Sequence, residues 1–402
     1  MIKFRNILVD REARVDLIRK LIVFTVFFPF VPAVLRSTDT QPTFMLLAGF
    51  GMFYGILHPK QKIFPFSNLE IFGILALGAL IFFSIRFNAL IANDKYYIAR
   101  VIVFFQFILA LIVGLRMDFG LKHKHFRNIL IAYVVFTGIY LLTNGLVENI
   151  FIGSRGGNVE ASLKLGGRGA RTLSPEPSFF ALQMLNIIVI YFLFFGKKGS
   201  TEKDLRIVLL CLACLIASLS GYGMVIIVAL VFVRFTKLWF TGLIALAASV
   251  PFLIEYLESY VSLRAVRLLI TVFAENPMVI IEQDASVASR IGSFLAYIDS
   301  ISKNFAFGDG FSLLQGGGLI SLVASLGLVA SFFMLAMIFE IFALKGFGLR
   351  KKLFVFFWFM LNFISGPIGI PAIGVTLGLI LRNNHPSLFT PAMKQEAREV
   401  PA

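Results

Sequence analysis

The chain is a succession of apolar runs, most near the length a helix needs to cross a bilayer, cut by basic connections. About twenty largely apolar residues span a hydrocarbon core of about 30 Å, and a helix satisfies its own backbone N–H and C=O groups there. Such runs extend roughly from 17 to 35, 44 to 57, 69 to 85, 97 to 115, 130 to 146 and 179 to 195. A second set runs from 207 to 220, 221 to 235, 238 to 254, 319 to 342, 353 to 364 and 370 to 381. At Ser220-Gly221-Tyr222-Gly223 and at Gly366-Pro367 a tight turn either separates two spans or breaks one re-entrant element. The reading is therefore an all-α polytopic membrane protein, a single integral domain over 1–402, with about twelve transmembrane helices and a range of about ten to thirteen.

Composition agrees. Only 15% of the 402 residues are charged and 58% are hydrophobic, where a soluble chain is about a quarter charged. This excludes a disordered or disulfide-stapled secreted chain. The net charge of +15 would suit a nucleic-acid binder only if it lined a water-facing surface. Here the basic residues sit between apolar runs, and no nucleic-acid partner is expected.

Basic loops stay in the cytoplasm. With the N-terminus inside, the inner segments hold Lys3, Arg5, Arg11, Arg14, Arg19, Lys20, Lys60 and Lys62, and then Arg116, Lys122, Lys124 and Arg127. Lys197, Lys198, Lys203, Arg206, Arg234, Lys237, Lys345, Arg350, Lys351, Lys352, Arg382, Lys394 and Arg398 complete that face, which holds most of the 37 basic residues. The whole excess of +15 falls on it and the outer face sums to neutral. Both termini are expected in the cytoplasm, with 383–402 a solvated cytoplasmic tail. The first apolar run is too long for a signal peptide and lacks a small-x-small cleavage site before Arg36, so it reads as a retained span. Cys211 and Cys214 form a C-x-x-C inside an apolar run, without a second cysteine pair, and read as buried small residues.

Two outer connections, 147–178 and 255–317, are far longer than connectors need to be and hold most of the outer charged residues. The first carries glycines between 153 and 169, then Arg168 and Arg171, and ends in Pro175-Glu176-Pro177-Ser178 as a span begins. A glycine-rich backbone can approach phosphate closely and Arg matches the fork geometry of phosphate oxygens. A solvent-exposed loop has the same composition, and Glu176 has two readings. A carboxylate at a helix start favours the helix dipole. A carboxylate held between two prolines beside arginines is also placed for chemistry. In the second loop Arg264 and Arg267 are three apart and share a face of a helix suited to lie on the membrane, where they would meet lipid phosphate. Asp284, Ser286 and Arg290 follow, and Gly308 and Gly310 mark a turn. All four histidines, His58, His123, His125 and His385, fall on the inner side. Proton transfer outside would therefore have to use Glu or Asp.

These residues resemble those of the Wzy-type polysaccharide polymerases in the O-antigen ligase/polymerase superfamily. The resemblance rests on many spans with two enlarged outer loops and on an Arg-rich lead into Glu176-Pro177-Ser178. It rests also on Ser289-Arg290 followed by Asn304-Phe305-Ala306-Phe307-Gly308-Asp309-Gly310 and the stretch from Ser321 through Gly327. Phe305 stands where the superfamily often has Pro, and Gln315-Gly316-Gly317-Gly318 lacks the His of the ligase branch. The resemblance implies a GT-C-like glycosyltransferase of the bacterial inner membrane, working at its periplasmic face on an undecaprenyl-diphosphate-linked oligosaccharide. A chain-length regulator and a flippase of the same pathway are the implied partners. It implies no nucleotide sugar and no cofactor, and assigns no metal ligand. Glu176, Arg290, Arg171 and Arg168 are the implied catalytic groups, with Asp284 the alternative base. Ser178, Arg264, Arg267, Asp284, Ser286, Gly308 and Gly310 are the implied substrate contacts. The rival activities are ligation of the glycan to another acceptor, or transport of a lipid-linked sugar.

Overall fold

In the computed structural model the described residues are 11–31, 41–57, 97–143, 170–196, 201–234, 285–310, 318–364 and 368–389. All regular structure among them is helical. The helices in order are α1 (Arg11–Phe27), α2 (Pro42–Leu57), α3 (Tyr97–Arg116), α4 (His123–Thr143), α5 (Pro177–Phe195), α6 (Thr201–Ser218) and α7 (Gly221–Arg234). Then follow α8 (Ala285–Asn304), α9 (Ile320–Leu326), α10 (Leu328–Ala343), α11 (Leu349–Ile364), α12 (Pro371–Asn384) and α13 (Pro386–Phe389). Three of them, α3 from Ala99 on, α4 and α5, are long and apolar enough to cross a membrane, and shorter apolar stretches occupy α6, α7 and α10. The runs expected at 69–85 and 238–254 lie outside the described residues.

The axis of the fold is α5. Pro177 opens it, with its φ preset for the first turn and no N–H to leave unpaired. Every residue from Phe179 to Leu193 is buried, so the helix is enclosed on all faces. An apolar helix without a polar face belongs in such a place. It packs against α4, α6, α7, α11 and α12. Its polar residues tie neighbours to it. Gln183 Nε2 donates to the carbonyls of Val26 and Phe27 at the end of α1, at 3.2 and 3.1 Å. Trp358 Nε1 of α11 donates to Asn186 Oδ1 at 2.7 Å.

The closest helix contact is between α3 and α12, and small residues make it possible. A Cβ at Gly374 would lie 2.7 Å from both Ala110 Cβ and the Phe107 carbonyl, and one at Gly378 would lie 2.7 Å from the Leu115 nitrogen. Gly114 in turn meets the Val375 backbone. In lipid there is little hydrophobic drive between helices, so close van der Waals packing along such small-residue faces carries the association. Gln106, fully buried in the same helix, accepts from the Gln41 N–H at 2.6 Å and donates to the Gly369 carbonyl. It joins the start of α2 to the lead into α12.

Polar contacts sort the helix ends into two levels. At one level Arg382 Nη1 donates to the Met117 carbonyl at 2.7 Å, Asn383 to Leu193, Lys351 to Gly196 and Lys352 to Phe342. Asn384 and His385 both bind the Glu340 carboxylate, and His123 meets Tyr191. This basic end gathers the last turns of α3, α5, α10 and α12 with the first turns of α4 and α11. The alternating chain direction read from the basic loops gives the same grouping. At the opposite level Gln183 of α5 binds the end of α1, the lead into α5 meets the end of α6, and α9 begins beside Asn362 near the end of α11.

One expectation changes. The single run 319–342 is broken at Gly327, whose φ of 58° and ψ of −132° suit only glycine, so α9 and α10 are separate. Of the expected tail 383–402, residues 383–389 are described. Helix α12 runs to Asn384, α13 follows, and Arg116 donates to the Leu388 carbonyl at 3.2 Å. Arg382, Asn383, Asn384 and His385 are held to the bundle because all four side chains find partners there. The first ambiguous turn separates two helices, and Gly366-Pro367 lies outside the described residues. Leu219 and Ser220 join α6 to α7, and α11 and α12 bring opposite termini to the basic end.

Candidate functional site

The lead into α5 is an irregular segment buried in the bundle, where a loop would normally lie on the surface. Residues 170–175 are all buried and Arg171 is 8% exposed. Such a path requires that its backbone be satisfied internally. The Ala170 N–H donates to the Ala217 carbonyl of α6 at 2.8 Å, and the Ser174 N–H to the carbonyls of Thr172 and Arg171 at 2.8 and 3.1 Å. Thr172 sits at φ 46°, a left-handed conformation that costs a β-branched residue about 1–3 kcal/mol. The Thr137 hydroxyl already donates to the Tyr133 carbonyl at 2.7 Å, so it accepts from Thr172 at 2.9 Å. That buried bond holds the strained residue against α4.

The segment ends on Glu176, half-buried and extended at φ −144° and ψ 153°. It occupies the N-cap position, yet its carboxylate makes no cap hydrogen bond. Its backbone carbonyl accepts from Phe180 at 3.1 Å, and Ser178 Oγ donates to Oε2 at 3.3 Å. The carboxylate therefore sits at the helix start, where the dipole favours it, without a capping hydrogen bond. Ser174 Oγ, fully buried two residues earlier, has no hydrogen-bond partner.

The second motif forms a turn at the same level of the bundle, on the break between α9 and α10. A Cβ at Gly327 would lie 2.6 Å from the Phe305 carbonyl and 2.7 Å from the Gly308 nitrogen. Gly308, at φ 70°, presses on Ser325 in the same way, its own Cβ position being 2.5 Å from the Ser325 carbonyl oxygen. The Asp309 N–H donates to the Ala324 carbonyl at 2.8 Å, and its carboxylate accepts from Ser300 and Asn304 of α8. The motif thus folds as one unit with Gly327. Gly308 serves a backbone-to-backbone contact, whereas Gly310, at φ 69°, has open space where a Cβ would be.

Glu176, Ser178 and Arg171 are brought together in one stretch of backbone. The backbones of Ser286 and Arg290 lie in the first two turns of α8. Arg168, Arg264, Arg267 and Asp284 lie outside the described residues. Among the described residues no group of three or more His, Cys, Asp or Glu is placed to hold a metal. His123, His125 and His385 are at the basic end, away from this level. Cys211 and Cys214 are free thiols buried in α6.

Three features escaped the sequence reading. Gln106 was visible as a lone amide in an apolar run, where an intramembrane polar residue needs a partner. Gly374 and Gly378 are four apart, the small-x-x-x-small spacing of closely packed helices. The bond between Thr137 and Thr172 left no sequence signal. The chain matches no protein-family model, no curated protein and no solved structure.

Proposed function

We propose that the chain is a membrane glycosyltransferase that polymerises lipid-linked repeat units at the face opposite its basic end. The observation that carries this is the carboxylate of Glu176, presented by a rigid buried segment without serving as a cap. It and the docked 304–310 turn both lie before helices, α5 and α10, whose last turns are at the basic end. The basic end is then cytoplasmic, about twelve spans complete a GT-C-like bundle, and the two outer loops cover the site.

The acceptor sugar hydroxyl attacks the anomeric carbon of the donor glycan. The new C–O bond forms as the bond from that carbon to the undecaprenyl diphosphate breaks. Glu176 takes the hydroxyl proton, and Ser178 orients the carboxylate through its hydroxyl. The leaving diphosphate carries the electron pair and its charge. Arg171, with Arg168 and Arg290, neutralises that charge, an effect worth about 3–4 kcal/mol per well-placed donor. Arg264 and Arg267 hold lipid phosphate. Asp284 is the alternative base.

Glu176→Gln keeps shape and removes the base, so turnover of a synthetic undecaprenyl-diphosphate repeat unit should fall by at least about a hundredfold. Thermal stability should be unchanged. Asp284→Asn is the parallel variant. Full activity in Glu176→Gln with loss in Asp284→Asn would move the base to the second loop.

A further inference from the structure

Helix α8 presents three faces. Taking Tyr297 as reference and 100° per residue, Phe294, Ser300 and Ile301 fall on the same side as Tyr297, and this side packs on Ile320 and Ala324 of α9. A second stripe, Ile291, Leu295 and Ile298, is apolar yet meets nothing comparable among the described residues: Leu295 is 58% and Ile298 44% exposed. The third face is polar, with Lys303 Nζ bound to Asp299 Oδ2 at 2.6 Å in the open. Beyond the helix, Phe305 is 48% and Phe307 90% exposed.

A helix with one face on protein, one apolar and bare, and one charged suits a bilayer interface rather than water. Depth gives a separate argument. Helix α10 has 16 residues and ends at the basic level, so it rises about 24 Å to Leu328. The 305–308 turn lies directly on Gly327, the residue before it. A hydrocarbon core is about 30 Å thick. If the basic end marks one boundary, Phe305 and Phe307 sit within a few ångströms of the other, on its acyl side. A bare Phe at that depth has lipid as its surroundings.

We infer that α8 and its 304–310 turn form an interfacial anchor, lying in the leaflet opposite the basic end with Leu295, Ile298, Phe305 and Phe307 among acyl chains. The anchor stands whether or not the chain transfers sugars. It fixes the height of the break between α9 and α10, because Asp309 and Gly308 bind that break.

Nitroxide labels at Leu295→Cys, Ile298→Cys and Phe307→Cys test this in the full chain, reconstituted in nanodiscs of phosphatidylethanolamine and phosphatidylglycerol. Cys211 and Cys214 are buried and should not label. Collision with oxygen should exceed collision with a water-soluble nickel chelate several-fold at these three positions. A label at Lys303→Cys should show the reverse. Nickel access at 295, 298 and 307 equal to that at 303 overturns the anchor in favour of a surface in water. Protection from both reagents overturns it in favour of cover by protein. Phe307→Trp keeps an aromatic side chain should the cysteine variants fold poorly, and brominated acyl chains should quench its fluorescence relative to the unmutated chain. Absence of quenching counts against the anchor.

Discussion

Gly308 and Gly310 share a positive φ, 70° and 69°, but differ in their described surroundings, and this makes them a useful pair. Alanine at Gly310 meets none of the described residues within 4 Å, so the left-handed backbone is what opposes it, a cost of about 1–2 kcal/mol. Alanine at Gly308 adds the same cost and places its Cβ 2.5 Å from the Ser325 carbonyl oxygen and 2.7 Å from the Leu326 nitrogen. These are backbone atoms of α9 and cannot swing aside as a long side chain would. Relief means moving the turn off Gly327, which breaks the bond from Asp309 to Ala324. Overpacking of this kind costs about 1–3 kcal/mol more. Gly308→Ala should therefore be destabilised by about 3 kcal/mol and Gly310→Ala by about half that or less. Unfolding temperatures followed by intrinsic fluorescence in nanodiscs would check it. Equal shifts in the two variants would refute the docking of the turn on Gly327. A larger shift in Gly310→Ala would do so more decisively.

Gln106→Leu leaves the Gln41 N–H and the Gly369 carbonyl unpaired, each costing about 1–3 kcal/mol. A clear fall in unfolding temperature is expected, and none would contradict that bridge. Gly378→Leu should separate α3 from α12, giving loss of the monodisperse peak in size-exclusion chromatography, while Gly49→Leu, which faces open space, should not. Thr172→Val removes the donor to Thr137 but keeps the strained shape, so it should lower turnover more than Thr172→Ser. Equal loss in both would mean that the hydroxyl does not hold the segment.

Much of the helical layout was legible because the bilayer imposes a length and a charge rule on each run. The basic segments near Arg116, Lys197, Lys351 and Arg382 foretold which helix ends share a level. The break at Gly327 was hidden, since one glycine in an apolar run reads as continuous helix until its contact with Phe305 and Gly308 is seen. Glu176 was legible as a residue between prolines, but its lack of a capping bond depends on the carboxylate's direction, which sequence does not carry. Thr172 was not legible at all. Its left-handed backbone opposes β-branched preference and is held by Thr137, thirty-five residues away. Tertiary contacts override local propensity at such places, and they concentrate at functional sites.

The central claim is polymerisation at the face opposite the basic end. Proteoliposomes holding the purified chain and a synthetic undecaprenyl-diphosphate repeat unit, analysed on gels for glycan length, test it most directly. A ladder of products one repeat apart is expected, formed without a nucleotide sugar and lost in Glu176→Gln. Movement of labelled lipid across the bilayer with no product longer than the starting unit would contradict it.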